Sequence, residues 1–153
     1  MEPTMPVSDL ETHLGYLLRS VSNHVSHSFA LRLADHGTTV AEWVVLRALH
    51  GAPPMAPSTL SDKIGLTRGA ISKLAERLID KGLIVREASA QDGRMQTLAL
   101  TPAGKTLVPR LARIADENDA HFFAHLTGDE RTMIETILRR IADRERIEAF
   151  PID

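Results

Sequence analysis

The sequence predicts a mainly α fold with one small β-hairpin. Three observations carry that expectation. Apolar residues recur at three- and four-residue steps through the first and last thirds of the chain. Between Leu60 and Gly104 two short helical patterns are separated by Gly65. Two strand-like runs then flank a turn containing Asp92, Gly93 and Arg94.

Residues 1–8 hold Pro3 and Pro6 and no periodicity, which suits a flexible N-terminus. Asp9 is placed to cap a long helix reaching about Ala34, with Leu10, Leu14, Leu17, Leu18, Val21, Val25 and Phe29 on its apolar face. Gly37 ends it. A second helix begins near Thr39 with Val40, Trp43, Val44, Leu46 and Leu49 as its buried stripe, and Gly51 with Pro53 and Pro54 stops it. Ser58 begins a short third helix carrying Leu60 and Ile64. Thr67 is a good N-cap for a fourth, whose inward face is Ile71, Leu74 and Leu78 and whose C′ position is Gly82. Leu83 to Glu87 and Met95 to Leu100 read as strands. Thr101-Pro102 is a cap followed by a first-turn proline, opening a helix to about Leu126 through Leu107, Leu111, Ile114 and Phe122. Thr127 or Gly128 breaks it, a last helix carries Met133, Ile134, Ile137, Leu138 and Ile141, and Phe150-Pro151 closes the chain.

The order helix, turn, helix, wing makes residues 37–104 a winged helix-turn-helix DNA-binding domain. The flanking helices, 9–36 and 105–150, have broad apolar faces that the central module can cover only in part. A second copy of the chain is the simplest cover, so both are expected to be dimerisation helices.

Composition is that of an ordinary soluble protein, with 43% hydrophobic and 25% charged residues. No apolar run approaches the ~18 residues of a membrane span, and the N-terminus lacks the features of an export signal, so a cytoplasmic location and no membrane partner are expected. The absence of cysteine removes disulfides, thiolate metal sites and thiol switches. The formal net charge is −2. From Thr67 to Arg94, however, the basic residues Arg68, Lys73, Arg77, Lys81, Arg86 and Arg94 outnumber the acidic Glu76, Asp80, Glu87 and Asp92, leaving +2. The asymmetry is mild, and the pattern outweighs it.

The fourth helix has two faces. Away from its apolar stripe lie Arg68, Gly69, Ser72, Lys73 and Arg77. Its first turn offers a forked cation, a hydroxyl and a bare backbone position, which is what a recognition helix brings to base edges. Lys73 and Arg77 are better placed for phosphates, and the unpaired N–H groups at the helix start add to phosphate affinity. Ser58 and Thr67 join the set at the starts of the two helices. The wing adds Arg94 at its tip and Arg86 at its base, and arginine suits a narrow minor groove. Asp92 is placed to pair with a nearby cation and hold the loop in shape. Any one of these cations alone reads equally well as part of a solvated face; their coincidence with the helix and hairpin order points to DNA.

The segment resembles the MarR family of winged-helix regulators. The resemblance is carried by Leu60-Ser61, by Ile64 through Lys73, by Leu78 to Val85 (LIDKGLIV), by Asp92-Gly93-Arg94 and by Leu100-Thr101-Pro102-Ala103-Gly104. The helix order extends it over nearly the whole chain, with Gly37, Trp43 and Leu46 resembling the family's second helix. It implies a homodimer built from the first, fifth and sixth helices on a palindromic operator, with half-sites about one helical turn (~34 Å) apart. It also implies a repressor released when a small, often aromatic or phenolic, ligand fills a cleft between the dimer helices and the DNA-binding lobe. Peroxide-sensing members use a cysteine, which this chain lacks. Zinc-sensing members use histidines on the second helix, where Trp43 lies here, and around the middle of the fifth, whereas His121 and His125 come late.

The candidates for an effector cleft are Tyr16, Arg19, His24 and His27 on the first helix and Trp43 and Arg47 on the second; His36 joins the histidines. Trp43 sits on an apolar stripe and reads as core, though the family's cleft borders its helix. Arg47 is a candidate anchor for a carboxylate, against the plainer reading of a surface charge. Tyr16 and Arg19 suit a dimer interface as well as a cleft. His121 and His125 have a chelating spacing but need a third ligand, and they read more simply as interface or surface residues, so no metal and no cofactor are expected. No Gly-rich phosphate loop, nucleophile elbow or HExxH motif is present, so the chain is not read as an enzyme. The competing reading is a winged-helix dimer that serves as a protein-interaction module without binding DNA.

Overall fold

The computed structural model describes residues 4–148. The chain forms α1 (Leu14–Ala34), α2 (Val40–Leu49), α3 (Pro57–Ile64), α4 (Arg68–Asp80), β1 (Ile84–Ala88), β2 (Gln96–Leu100), α5 (Pro102–Phe123) and α6 (Gly128–Arg144). The expected mainly α architecture with one hairpin is what is seen. The strands pair antiparallel, Ile84 opposite Leu100 and Ala88 opposite Gln96. Met55, in the loop between α2 and α3, adds a bridge to Leu98 through N–H···O bonds of 3.1 and 2.8 Å, so the hairpin's base is stitched to the loop after α2.

Boundaries differ from the sequence expectation in instructive places. Asp9 does not cap the long helix; it precedes a single 3-10 turn, Leu10–Thr12, and α1 starts at Leu14 after His13. Neither residue makes a side-chain cap bond. Pro57 occupies the first turn of α3, so the helix opens one residue before Ser58. Each strand starts one residue later than its pattern suggested, and α5 ends at Phe123 rather than near Leu126. Phe150 and Pro151 lie outside the described residues.

Thr67 and Thr101 cap where expected, and Thr127, expected only as a break after the fifth helix, caps the sixth. Thr67, Thr101 and Thr127 each accept a hydrogen bond from a backbone N–H three residues on. Each satisfies one of the donors a helix start leaves unpaired. Gly65, at φ 72°, makes the left-handed turn between α3 and α4 that other residues adopt reluctantly.

The core lies under the central module. Leu33 of α1, Leu46 and Leu49 of α2, Leu60 and Ile64 of α3, and Ile71, Leu74 and Leu78 of α4 meet Ile84, Leu98, Val108 and Leu111 in one cluster. On α2 the stripe is rotated from the expected one. Val45 is buried while Trp43, Val44 and Val40 are only half-buried against the cluster. Gly104 is buried where α5 leaves the hairpin, and a β-carbon there would collide with the Leu83 carbonyl oxygen. That close approach gives the Leu-Thr-Pro-Ala-Gly sequence its physical reason: a cap, a first-turn proline, and a residue with no side chain against the neighbouring backbone.

Outside this core the single chain leaves much apolar surface open. Leu10, Leu14, Leu17, Leu18 and Val21 near the N-terminus, and Met133, Ile134, Ile137, Leu138 and Ile141 on α6, are all exposed. No helix of the described residues is long and apolar enough to cross a membrane.

Candidate nucleic-acid interface

The pose of α4 is set from both sides. At its start, Thr67 Oγ1 accepts the Ala70 N–H at 3.1 Å, and Ser61 Oγ donates to the Leu66 carbonyl across the turn. Along its inner face Ile71, Leu74, Ala75 and Leu78 are buried. The outer face therefore has no freedom to rotate inward, and Thr67, Arg68, Gly69, Ser72 and Lys73 are all exposed. Ser58, at the second position of α3, is half-buried.

The cations separate into two groups. Arg77 donates from Nη2 to Glu42 Oε1 of α2 at 3.1 Å, and Arg86 of β1 donates to Glu76 of α4 at 2.6 Å. Both were expected to be available for DNA, and both are partnered. The other three predicted cations, Arg68, Lys73 and Arg94, take part in none of the ion pairs among the described residues.

At the wing tip Asp92 differs from its expected role. Its Oδ1 accepts the backbone N–H of Arg94 at 3.0 Å, and its carbonyl accepts the Met95 N–H, also at 3.0 Å. It makes no ion pair among the described residues. The carboxylate thus shapes the turn directly, as Asx residues do, and leaves the Arg94 guanidinium exposed.

One residue that holds α4 in place escaped the sequence reading. Glu42, 1% exposed, accepts from Arg77, from Lys81 Nζ at 2.7 Å and from the Thr39 backbone N–H at 3.1 Å. Thr39 Oγ1 accepts the Glu42 N–H in return, closing a capping box at the start of α2. Lys81 Nζ also reaches the Gly37 carbonyl at 2.7 Å. The junction between α1 and α2 is thereby fastened to the second half of α4. Burial pulls the Glu42 carboxyl upward, but the hydrogen bonds from Lys81 and Thr39 and the Lys81 charge together outweigh it and hold it below its ordinary 4.5. The sequence signal was present in the Thr-x-x-Glu spacing of residues 39–42.

Tyr16, Arg19, His24 and His27 are exposed along α1, Arg47 is exposed on α2, and Trp43 is half-buried against the core. Three hollows among the described residues, at Val25–Asp119 between α1 and α5, at Leu49–Lys105 and at Asp119–Arg139 between α5 and α6, are lined by none of these six. The His24 ring stands edge-on to Phe122 of α5, centroids 6.0 Å apart. His36 is exposed at the end of α1. His121 packs edge-on to Phe122, and among the described residues no three metal-ligating side chains come together around it or His125.

A model of the MarR family matches residues 36–95, from the start of α2 to the wing. A Thauera aromatica protein whose name assigns it to transcriptional regulation of the hcr operon is 30% identical over 129 residues, 84% of this chain and 78% of its own. This chain belongs to the MarR family. Among other MarR-type proteins, the transcriptional repressor Rv2887 of Mycobacterium tuberculosis is 29% identical over 128 residues, covering 84% of this chain and 92% of its own. Its crystal structure with p-aminosalicylic acid superposes with a TM-score of 0.66, at 27% identity over 86% of this chain and 99% of that one. The PcaV regulator of Streptomyces coelicolor, solved with its natural ligand, is 32% identical with a TM-score of 0.71, over 91% of this chain and 98% of that one. The MarR assignment accounts for the helix order and for the wing that the geometry presents beside α4.

Proposed function

We propose that this MarR-family chain is a homodimeric, sequence-specific DNA-binding regulator that represses transcription and is released by a small aromatic ligand. The observation that carries the reading is the exposed set Arg68, Gly69, Ser72 and Lys73 on a helix whose opposite face is locked in the core, with Arg94 exposed on the adjacent wing. Arg68 and Ser72 are assigned to base edges, Lys73 to a phosphate and Arg94 to the minor groove. Thr67 and Ser58 are assigned to the backbone at the helix starts. Arg77 and Arg86 contribute charge from within their ion pairs, and Asp92 holds the wing tip. Residues 37–104 are the DNA-binding unit in this reading.

Residues 9–36 and 105–150 form the dimer, because the apolar residues left open on α1 and α6 are too many for a chain that stays alone in water. A dimer reads a palindrome with half-sites about 34 Å apart. The effector reading is supported by the p-aminosalicylic acid bound to Rv2887 and by PcaV having been solved with a natural ligand. Tyr16, Arg19, His24, His27, Trp43 and Arg47 then need a partner subunit, or the bound ligand, to make a cleft. A ligand releases DNA only if it favours a lobe spacing that the operator does not. In this reading the protein is a regulator and catalyses no reaction.

Fluorescence anisotropy with labelled duplexes from the region upstream of the protein's own gene tests the proposal. Saturable binding at low salt that survives unrelated competitor DNA is expected. Failure to bind any duplex would favour the alternative of a dimer that serves protein interactions alone.

A further inference from the structure

In the DNA-binding reading Arg77 has two anions to choose from, a carboxylate of its own chain and the DNA backbone. It follows Lys73 by four residues, so the two cations share one side of α4. Lys73 is the residue assigned to a phosphate. In the free chain the Arg77 guanidinium donates instead to Glu42 Oε1, at 3.1 Å. The pair is lopsided: the Glu42 side chain is 1% exposed and that of Arg77 is 52% exposed.

The two cations on Glu42 are not equivalent. Among the described residues Lys81 is the donor on Oε2, at 2.7 Å, and its ammonium is also held by the Gly37 carbonyl at 2.7 Å. Arg77 shares Oε1 with the Thr39 backbone N–H, which stands at 3.1 Å. If Arg77 leaves, Lys81 still answers one oxygen and Thr39 the other, so no buried acceptor is orphaned. If Lys81 leaves, Oε2 has no donor among the described residues. Arg77 is therefore the partner Glu42 can lose, and it is the more exposed of the two.

We infer that Glu42 competes with the DNA backbone for Arg77: on binding, the guanidinium leaves the carboxylate for a phosphate, while Lys81 and Thr39 keep Glu42 satisfied. A phosphate does not simply join the pair. It would set a second negative charge beside a buried carboxylate, and like charges repel more strongly as water is excluded. The exchange makes Glu42 a brake on affinity. It acts on every sequence alike, since phosphates carry no sequence information. By linkage, DNA in turn weakens the tie between α4 and the start of α2 by the same factor. The inference rests on the DNA-binding reading and takes Arg77 beyond the charge it supplies from within its pair.

Four proteins decide it: wild type, Glu42→Gln, Arg77→Ala and the double variant. Each is titrated by fluorescence anisotropy on the upstream duplex and on an unrelated one, at several salt concentrations starting low. Circular dichroism and urea unfolding verify that each is folded under the assay conditions. Glu42→Gln should tighten binding about threefold on both duplexes, the size of a partly exposed ion pair. The tightening should vanish in the Arg77→Ala background. With Glu42 in place, Arg77→Ala should flatten the salt slope by about one unit, as for one phosphate contact. That arm stands even if Glu42→Gln does not fold. Equal or weaker binding by folded Glu42→Gln, a tightening that survives in Arg77→Ala, or a salt slope that Arg77→Ala leaves unchanged overturns the inference and leaves the regulator reading intact. No binding by wild type to either duplex overturns both.

Discussion

The Lys81 ammonium, on the residue that follows α4, lies 2.7 Å from the Glu42 carboxylate of α2, a carboxylate that is 1% exposed. With Arg77 at 3.1 Å on the other oxygen, one acid ties the last turn of α4 and the residue after it to the start of α2. Removing it in Glu42→Ala leaves two cations that are themselves 52% and 39% exposed and can rehydrate. The loss is therefore less than the ~3–5 kcal/mol of breaking a fully buried pair, and about 1–3 kcal/mol is expected. Urea unfolding measures it, and a midpoint equal to wild type sinks the assignment.

The same acid sets a pH dependence. Its folded pKa lies below the ordinary 4.5, so its contribution is complete above pH 4.5 and is lost as pH falls through the lower folded value. Stability measured downward from pH 6 should fall more steeply in wild type than in Glu42→Gln, which has no proton to take up. Parallel curves for the two proteins would show that Glu42 does not contribute to acid sensitivity.

A buried glutamate is hard to read from sequence because its partners, Arg77 and Lys81, lie a whole helix-turn-helix away. The local signal, Thr39 and Glu42 three apart, announces a cap but not burial. Helices, turn glycines and threonine caps were legible because each rests on neighbours within four residues. The exposed side of α4 was legible for the same reason: once Ile71, Leu74 and Leu78 face inward, Arg68, Ser72 and Lys73 must face out. Which of the cations already has a partner was not, since Glu76 with Arg86 and Glu42 with Arg77 depend on how elements cross. Asn118 is another such case. It is buried between α1 and α5, accepting from Ser28 at 2.8 Å and donating to the Val25 carbonyl at 3.2 Å, across about ninety residues of sequence.

Gly104→Ala should cost about 1–3 kcal/mol, the usual range for forcing extra atoms into a packed place. Elsewhere in a helix the same change stabilises by about 1 kcal/mol, so the sign is diagnostic. The obstacle is the Leu83 carbonyl oxygen, a backbone atom with little room to yield, since it also accepts the Thr101 N–H at 3.0 Å. A variant with a raised melting temperature would mean that α5 and the hairpin are farther apart than they stand here.

Lys73→Ala and Arg77→Ala should part company. Lys73 is exposed and joins no ion pair among the described residues, so its loss leaves stability within about 0.5 kcal/mol and flattens the salt dependence of DNA binding by about one unit of slope if it neutralises one phosphate. Arg77→Ala should lower stability as well, because it removes a donor from buried Glu42. Equal unfolding midpoints for the two variants would contradict the division of cations made here.

Arg94→Ala should weaken operator binding by about 1–3 kcal/mol if the guanidinium enters the groove. Asp92→Ala should give a smaller loss, because Arg94 remains but the bond from its N–H to Asp92 Oδ1 no longer fixes the tip. Anisotropy titrations of both variants on one duplex rank them. A larger effect from Asp92 than from Arg94 would assign the wing a purely structural part.

Ile137→Asp paired with Leu138→Asp should yield a folded monomer. Both side chains are exposed on α6, at 44% and 43%, and neither belongs to the core cluster, so charge there does not disturb the central module. In a dimer the same charges are buried against apolar residues without a partner, which is costly enough to prevent association. Sedimentation velocity reads the mass. The monomer should also lose most operator affinity, since a second half-site then no longer binds as part of the same molecule. If the double variant still sediments as a dimer, α6 is not the face that pairs.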